Sequence, residues 1–137
     1  MSRNISVRYE LQRSDFSLDV DVESPMRGIT GVYGESGAGK TALLRCIAGL
    51  ERGASGRLVV ADDVWQDATT SRPVHDREIG YVFQEPRLFA HLSVRQNIEY
   101  GQRRGRREDV GLDEAVELLG LRYLLDRRVD TLSGGEA

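Results

Sequence analysis

Apolar and polar residues alternate twice near the start of the chain. Ile5, Val7, Tyr9 and Leu11 form the first series, and Phe16, Leu18, Val20 and Val22 form the second. A period of two belongs to a strand with one face on a core and the other in water. Both runs therefore predict half-buried antiparallel strands, joined by a polar turn near Gln12 to Asp15. The pattern then changes. Gly28 to Tyr33 is short and largely apolar, as in a strand buried within a parallel sheet. From Thr41 to Leu50 the apolar spacing is helical, with Leu43, Leu44, Ile47 and Leu50 on one face and Gly53 as the stop signal. Residues 56–60 and Val64–Trp65 flank Ala61, Asp62 and Asp63, which predicts a second hairpin with an acidic turn. Residues 67–77 are polar, contain Pro73, and predict a loop. Ile79 to Phe83 predicts another short apolar strand, ended by Gln84, Glu85 and Pro86.

Helical character follows residue 84. Ser93 with Gln96 fits a capping box that opens a helix running through about Tyr100. Leu112 to Leu119 is apolar on one face, with Glu114 and Glu117 polar and Gly120 closing the helix; Leu121 to Leu125 predicts a further helical turn. Between them Gln102 to Arg107 is a basic run broken by Gly105. It is short and has no interleaved aromatics, so it reads as a solvated loop and not as a nucleic-acid patch. No internal repeat or low-complexity segment interrupts the chain.

Composition narrows the classes without naming one. The chain has 137 residues, room for one domain with a real core, and its 39% hydrophobic and 30% charged residues are those of a globular protein. A net charge of −3 argues against nucleic acid as a partner, because phosphate-backbone affinity depends on clustered cations. Cys46, the single cysteine, permits no internal disulfide and reads as a small buried apolar residue on the first helix. No apolar run reaches the ~20 residues of a membrane span, and the N-terminus lacks the apolar centre of a signal peptide. A cytosolic chain is the expectation, one that can still dock on a membrane complex.

The chemistry is concentrated at Gly34-Glu35-Ser36-Gly37-Ala38-Gly39-Lys40-Thr41, which satisfies the P-loop pattern G-x-x-x-x-G-K-[ST] at every fixed position. Glycines there let backbone amides approach phosphate oxygens, and the following helix turns its free N–H groups and positive dipole end to the same anion. Lys40 is placed to reach the β- and γ-phosphates of a nucleotide, and the Thr41 hydroxyl to ligate Mg²⁺. Strand, loop and helix in that order supply the context the motif requires.

Two further motifs lie downstream. Leu132-Ser133-Gly134-Gly135-Glu136 follows the P-loop by some ninety residues, and Gln84 follows the apolar segment between them. Together with the P-loop they make the chain resemble the ATP-binding-cassette (ABC) family along essentially its whole length. Gly80 to Val94, with Arg87-Leu88-Phe89-Ala90-His91 after the glutamine, is most similar to the ATPase subunits of bacterial molybdate importers, although sulfate, polyamine and maltose importer subunits share most of this pattern. The resemblance implies an α/β fold: a P-loop NTPase ABC nucleotide-binding domain with N-terminal antiparallel hairpins, a P-loop strand–helix unit and a helical subdomain. Residues 1–84 would be the β and P-loop core, 85–131 the helical subdomain, and 132–137 the signature.

Roles follow from the same resemblance. Gln84 would touch Mg²⁺ or the attacking water and report the nucleotide state to the helical subdomain. Leu132, Ser133, Gly134, Gly135 and Glu136 would act in trans, gripping the γ-phosphate of ATP held by a second copy in a homodimer. The stretch from Pro86 to about Arg128 would dock a membrane-spanning permease subunit at the cytoplasmic face of the inner membrane, with a periplasmic solute-binding protein engaged indirectly. Within it Leu88, Phe89, His91 and Leu92 are groove residues or local core, and His91 by itself reads as core or a capping residue. Tyr9 is the candidate for the aromatic that stacks on adenine.

The sequence also departs from the family. ABC ATPases continue past the signature through a helix and an apolar strand ending in Asp-Glu, the Glu being the general base, and a later histidine contacts the γ-phosphate. These 137 residues end at Ala137. The chain thus reads as the C-terminally truncated N-terminal portion of an energy-coupling importer subunit, expected to bind ATP poorly alone and not to hydrolyse it. Two alternatives stand beside this reading. One is a DNA-repair-type ABC ATPase, whose zinc-binding cysteines and large insertion are missing here; the other is a remnant without catalytic activity. A P-loop kinase would leave Gln84 and the signature unexplained.

Overall fold

The computed structural model describes residues 4–103 and 111–136, and its contacts divide the chain into two units, Met1–Tyr81 and Val82–Ala137. The first unit holds both hairpins. β1 (Asn4–Arg13) pairs with β2 (Phe16–Pro25) across a turn at Ser14 and Asp15, and β3 (Ser55–Val60) pairs with β4 (Asp63–Gln66). β1 also pairs with β3, giving one antiparallel sheet in the order β2-β1-β3-β4.

Register explains the core. Val7 lies opposite Leu58, Leu11 opposite Leu18, and Tyr9 between Val20 and Gly56. Opposed residues share a face, so the apolar half of each alternation converges, while Arg8, Glu10, Asp19 and Asp21 remain exposed on the other face. Trp65 of β4 joins the apolar face, and Leu43 and Cys46 of α1 (Lys40–Ala48) pack into the same cluster. Gly56 is required where the strands cross closest: at φ 147°, a Cβ there would stand 2.0 Å from the Arg8 carbonyl oxygen.

Helix α1 starts where the sequence predicts and ends earlier. Gly49, at φ 75°, donates its N–H to the Cys46 carbonyl (3.0 Å), and Leu50 donates to Arg45 (2.8 Å), a Schellman closure ahead of Gly53. The buried face is also shifted. Leu43, Cys46 and Ala48 are buried and Ile47 packs on the core, but Leu44 is 46% exposed. One residue turns a helix by ~100°, which carries Leu44 past the edge of the stripe centred on Leu43 and Cys46. Glu51 ties the end of α1 back to β1. Its nearly buried carboxylate accepts from Arg13 and, at 3.0 Å, from Arg45 Nε.

Two expected strands are not formed. Residues 28–33 and 79–83 carry no strand pairing, and Ile29, Tyr33 and Val82 are almost fully exposed. A parallel strand exists only through ladder bonds to neighbours, and among the described residues no strand runs beside either segment. Within residues 67–77 the expected loop holds one turn of 3₁₀ helix at Val74–Asp76 and an Asp67 carboxylate that accepts the N–H groups of Thr69 and Thr70.

The second unit is helical. Ser93 caps α2 (Val94–Gln102) through the expected capping box with Gln96. α3 (Leu112–Leu118) ends at Gly120, φ 64°, and a 3₁₀ turn at Arg122–Leu124 follows. Val116, Leu124 and Leu125 are the buried apolar residues here. Asn97 accepts the Phe89 N–H at 2.8 Å and donates to the Phe89 and Ser93 carbonyls, which holds the Phe89 ring 4.6 Å from that of Tyr100. Of the basic run, residues 104–107 lie outside the described residues.

Three substitutions test this account. Gly56→Ala is expected to split β1 from β3 and lower stability by more than about 2 kcal/mol, read from urea unfolding. Ala61 sits in the β3–β4 turn at φ 57°, where an L side chain is strained, so Ala61→Gly is expected to stabilise by about 1 kcal/mol. For Glu51, burial raises the pKa, but the hydrogen bonds and charges of Arg45 and Arg13 outweigh it and hold the carboxyl below its usual value. Its contribution is therefore complete above the unfolded-state carboxylate range and is lost as pH falls through the lower folded-state pKa. Glu51→Gln should cost about 1–2 kcal/mol at pH 7 and flatten the acid limb of stability against pH.

Candidate phosphate-binding site

The loop from Gly34 to Gly39 enters α1 through conformations that glycine favours. Gly37 has φ 83° and Gly39, the residue ahead of the helix, φ 90°. Gly39 is doubly constrained, because a Cβ there would lie 2.5 Å from the Phe16 ring and 3.2 Å from Leu18. The loop thus rests on the start of β2. The Leu43 N–H donates to the Gly39 carbonyl at 2.8 Å and closes the first turn. The preceding amides of that turn have no intrahelical acceptor, so they are free to serve an anion. No acidic residue occupies the first turn, while Arg45 lies in the last, a distribution that complements the helix dipole and leaves its positive end unopposed.

Lys40 curls over this loop. Its Nζ donates to the carbonyls of Gly34 (2.9 Å) and Glu35 (2.6 Å), which holds the ammonium against the loop backbone. Gly34, Glu35, Ser36, Gly37 and Ala38 are exposed, as is Thr41 in the first helical turn. Backbone amides, one ammonium and one hydroxyl are the donor set that a polyphosphate with a hard cation would require: Thr41 would offer the oxygen, and the amides would meet phosphate oxygens. Among the described residues no cluster of three His, Cys, Asp or Glu forms that could hold a metal ion. Any cation here would rest on the hydroxyl and on the phosphates themselves.

The other sequence candidates fall elsewhere. Gln84 is exposed in an irregular segment of the second unit. In the same unit residues 132–136 form a turn in which Ser133 donates its N–H (2.9 Å) and hydroxyl (2.7 Å) to the Glu136 carboxylate, with Arg127 at 3.5 Å from the other oxygen. The Ser133 bonds hold the Glu136 carboxyl below its usual pKa.

Tyr9 has to be corrected. Its side chain is fully buried and its hydroxyl donates to Gln66 Oε1 at 2.9 Å, so it is a core residue with no face to offer a base. Burial pushes its phenol pKa up, and Arg77 opposes the shift. The aromatic that lies against the phosphate loop is Phe16, half-buried beside Gly39. Sequence reasoning placed Phe16 in a strand alternation and had no signal for its contact with residues more than twenty positions away. Arg77 escaped notice for the same reason. It is the one charged residue among the described ones that is buried, 5% exposed, and it reaches the far end of α1.

The ABC transporter family pattern matches residues 18–137, which includes the phosphate loop and the signature turn. The chain is 55% identical over 134 residues to the molybdenum import ATP-binding protein ModC of Thiobacillus denitrificans, covering 96% of this chain and 37% of that protein. Identity is 52% with the protein of the same name from Methylococcus capsulatus and 50% with that from Pseudomonas fluorescens, each matched over 97% of this chain and 38% of its own length. The chain therefore spans less than two-fifths of the length of these relatives. With most of its length matched, the chain belongs to the ABC transporter family.

Proposed function

We propose that this chain supplies the phosphate cradle of an ATP-binding, energy-coupling subunit of a bacterial importer, with molybdate as the transported oxyanion. The observation that carries the reading is the Gly34–Thr41 loop, with Lys40 Nζ held over it by two carbonyls. Those carbonyls keep the ammonium at the loop. When a nucleotide enters, Lys40 exchanges them for β- and γ-phosphate oxygens, and the first-turn amides of α1 take the remaining oxygens. Thr41 is the residue that would offer an oxygen to Mg²⁺, which supplies charge neutralisation for in-line attack of water. Phe16, beside Gly39, takes the base-stacking role once assigned to Tyr9.

The full cycle belongs to a longer chain. In a subunit of the relatives' length, Leu132 to Glu136 would close on ATP bound by a second copy, and the helical stretch that includes Phe89 and Tyr100 would face a permease at the inner membrane. No described helix is long and apolar enough to cross a membrane, which suits peripheral attachment. The exposed apolar side chains of Ile29, Tyr33 and Val82 support the same reading: residues 28–33 and 79–83 become strands when further chain pairs with them. The names of the relatives supply the solute, and the residues described here supply the chemistry.

A fluorescent ATP analogue titrated onto this chain tests the cradle. Weak binding is expected, reduced about tenfold or more in Lys40→Ala and less in Phe16→Ala. No phosphate release should accompany it. Release of phosphate that depends on Lys40 would show that these residues hold a general base after all, and equal affinity in Lys40→Ala would remove the cradle reading.

A further inference from the structure

We propose that Arg77 is a positioning residue for the phosphate loop, acting through the length of α1 from its opposite end. The proposal rests on the phosphate reading above only for its functional consequence; the mechanical part stands on geometry alone. Arg77 Nη1 donates to the carbonyls of Cys46 (3.2 Å) and Ile47 (2.6 Å), the last turn of α1. Its Nη2 donates to Gln66 Oε1 of β4 (3.1 Å), and its Nε to the Arg72 carbonyl (3.1 Å). Gln66 is fixed in turn, because the same oxygen accepts from Tyr9 of β1 at 2.9 Å and its Nε2 donates to the Ala54 carbonyl at 3.3 Å.

Every one of these acceptors is uncharged. A buried guanidinium is costly without an anion, and here the compensation comes from helix-end carbonyls, which carry the negative pole of the dipole. The planar fork matters as much as the charge. It bonds α1 on one side and, on the other, Gln66 of β4 and the loop carbonyl of Arg72, so the helix end is tied to both. Gly49 is shaped to admit it: a Cβ there would lie 2.7 Å from Arg77 Cζ. Gly49 therefore serves the guanidinium as well as the left-handed helix closure.

A nine-residue helix is a rod of about 13 Å. Its amino end touches β2 through Gly39 and Phe16, and its carboxyl end is pinned by Arg77. Freeing the carboxyl end lets the rod slide or tilt, and the amides and Lys40 at the other end move with it. A phosphate site built from backbone amides is sensitive to such displacement, since hydrogen bonds weaken steeply with misalignment.

The experiment uses this chain and compares wild type with Arg77→Lys, which keeps the charge but lacks the fork, and with Gln66→Met, which removes the acceptor on the sheet side. The first readout needs no ligand. Amide exchange at Leu43, whose N–H bonds the Gly39 carbonyl, is compared with exchange at Val7 in β1. Positioning predicts that Leu43 exchange accelerates about fivefold beyond any change at Val7 in both variants. A purely structural role would accelerate both amides equally, and that result overturns the proposal.

The second readout is competition of inorganic triphosphate and of adenosine against the fluorescent ATP analogue. Triphosphate affinity is expected to fall about five- to tenfold in Arg77→Lys while adenosine affinity holds. Unchanged triphosphate affinity in a folded variant overturns the proposal. If Arg77→Lys does not fold, the Gln66→Met values decide on the same criteria. Triphosphate that fails to bind wild type, alongside a Leu43 effect, would count against the phosphate reading and leave the pin established.

Discussion

The docking of α1 onto one face of the sheet is the contact on which the rest of the first unit depends. Leu43 and Cys46 fill the space above Val7, Tyr9, Leu11, Leu18 and Leu58, and that burial fixes where the helix begins. At roughly 1.5–3 kcal/mol for each large apolar side chain removed from water, this contact outweighs the polar ties around it. The polar ties do a different job. Arg13 and Arg45 on Glu51, and Arg77 on the last carbonyls of α1, select one position from the many an apolar face would permit. Burial makes the helix stay, and the hydrogen bonds choose its register.

Function inherits that register. On the proposed reading the loop from Gly34 to Gly39 would offer backbone amides to an anion, and backbone amides cannot search rotamers as side chains do. Their precision is that of the framework beneath them. The left-handed turns at Gly37 and Gly39, and the Phe16 ring against Gly39, are local parts of that framework. The sheet and the far end of α1 are its distant parts.

Much of this was legible in the residues. Strict alternation marked β1 and β2 because a solvated face and a buried face impose period two, and Ser93 with Gln96 marked α2 because a capping box satisfies two amides locally. The P-loop spacing announced the start of α1. What was missed depended on partners distant in sequence. The segments around Ile29 and Val82 look like strands by composition, yet a strand is defined by neighbours. Tyr9 looked available for a base until the register placed it between Val20 and Gly56. Arg77 closes a stretch that reads only as polar loop, and only the three-dimensional path brings it to the end of α1.

Cys46 gives the docked helix a reporter of its own. The only thiol in the chain lies on the inner face of α1, 1% exposed, and burial pushes its pKa up, with the Glu51 charge adding to the effect. A sulfur so placed cannot meet an alkylating reagent unless the helix lifts from the strands. Its modification rate is thus a clock for the opening of the joint between α1 and the sheet.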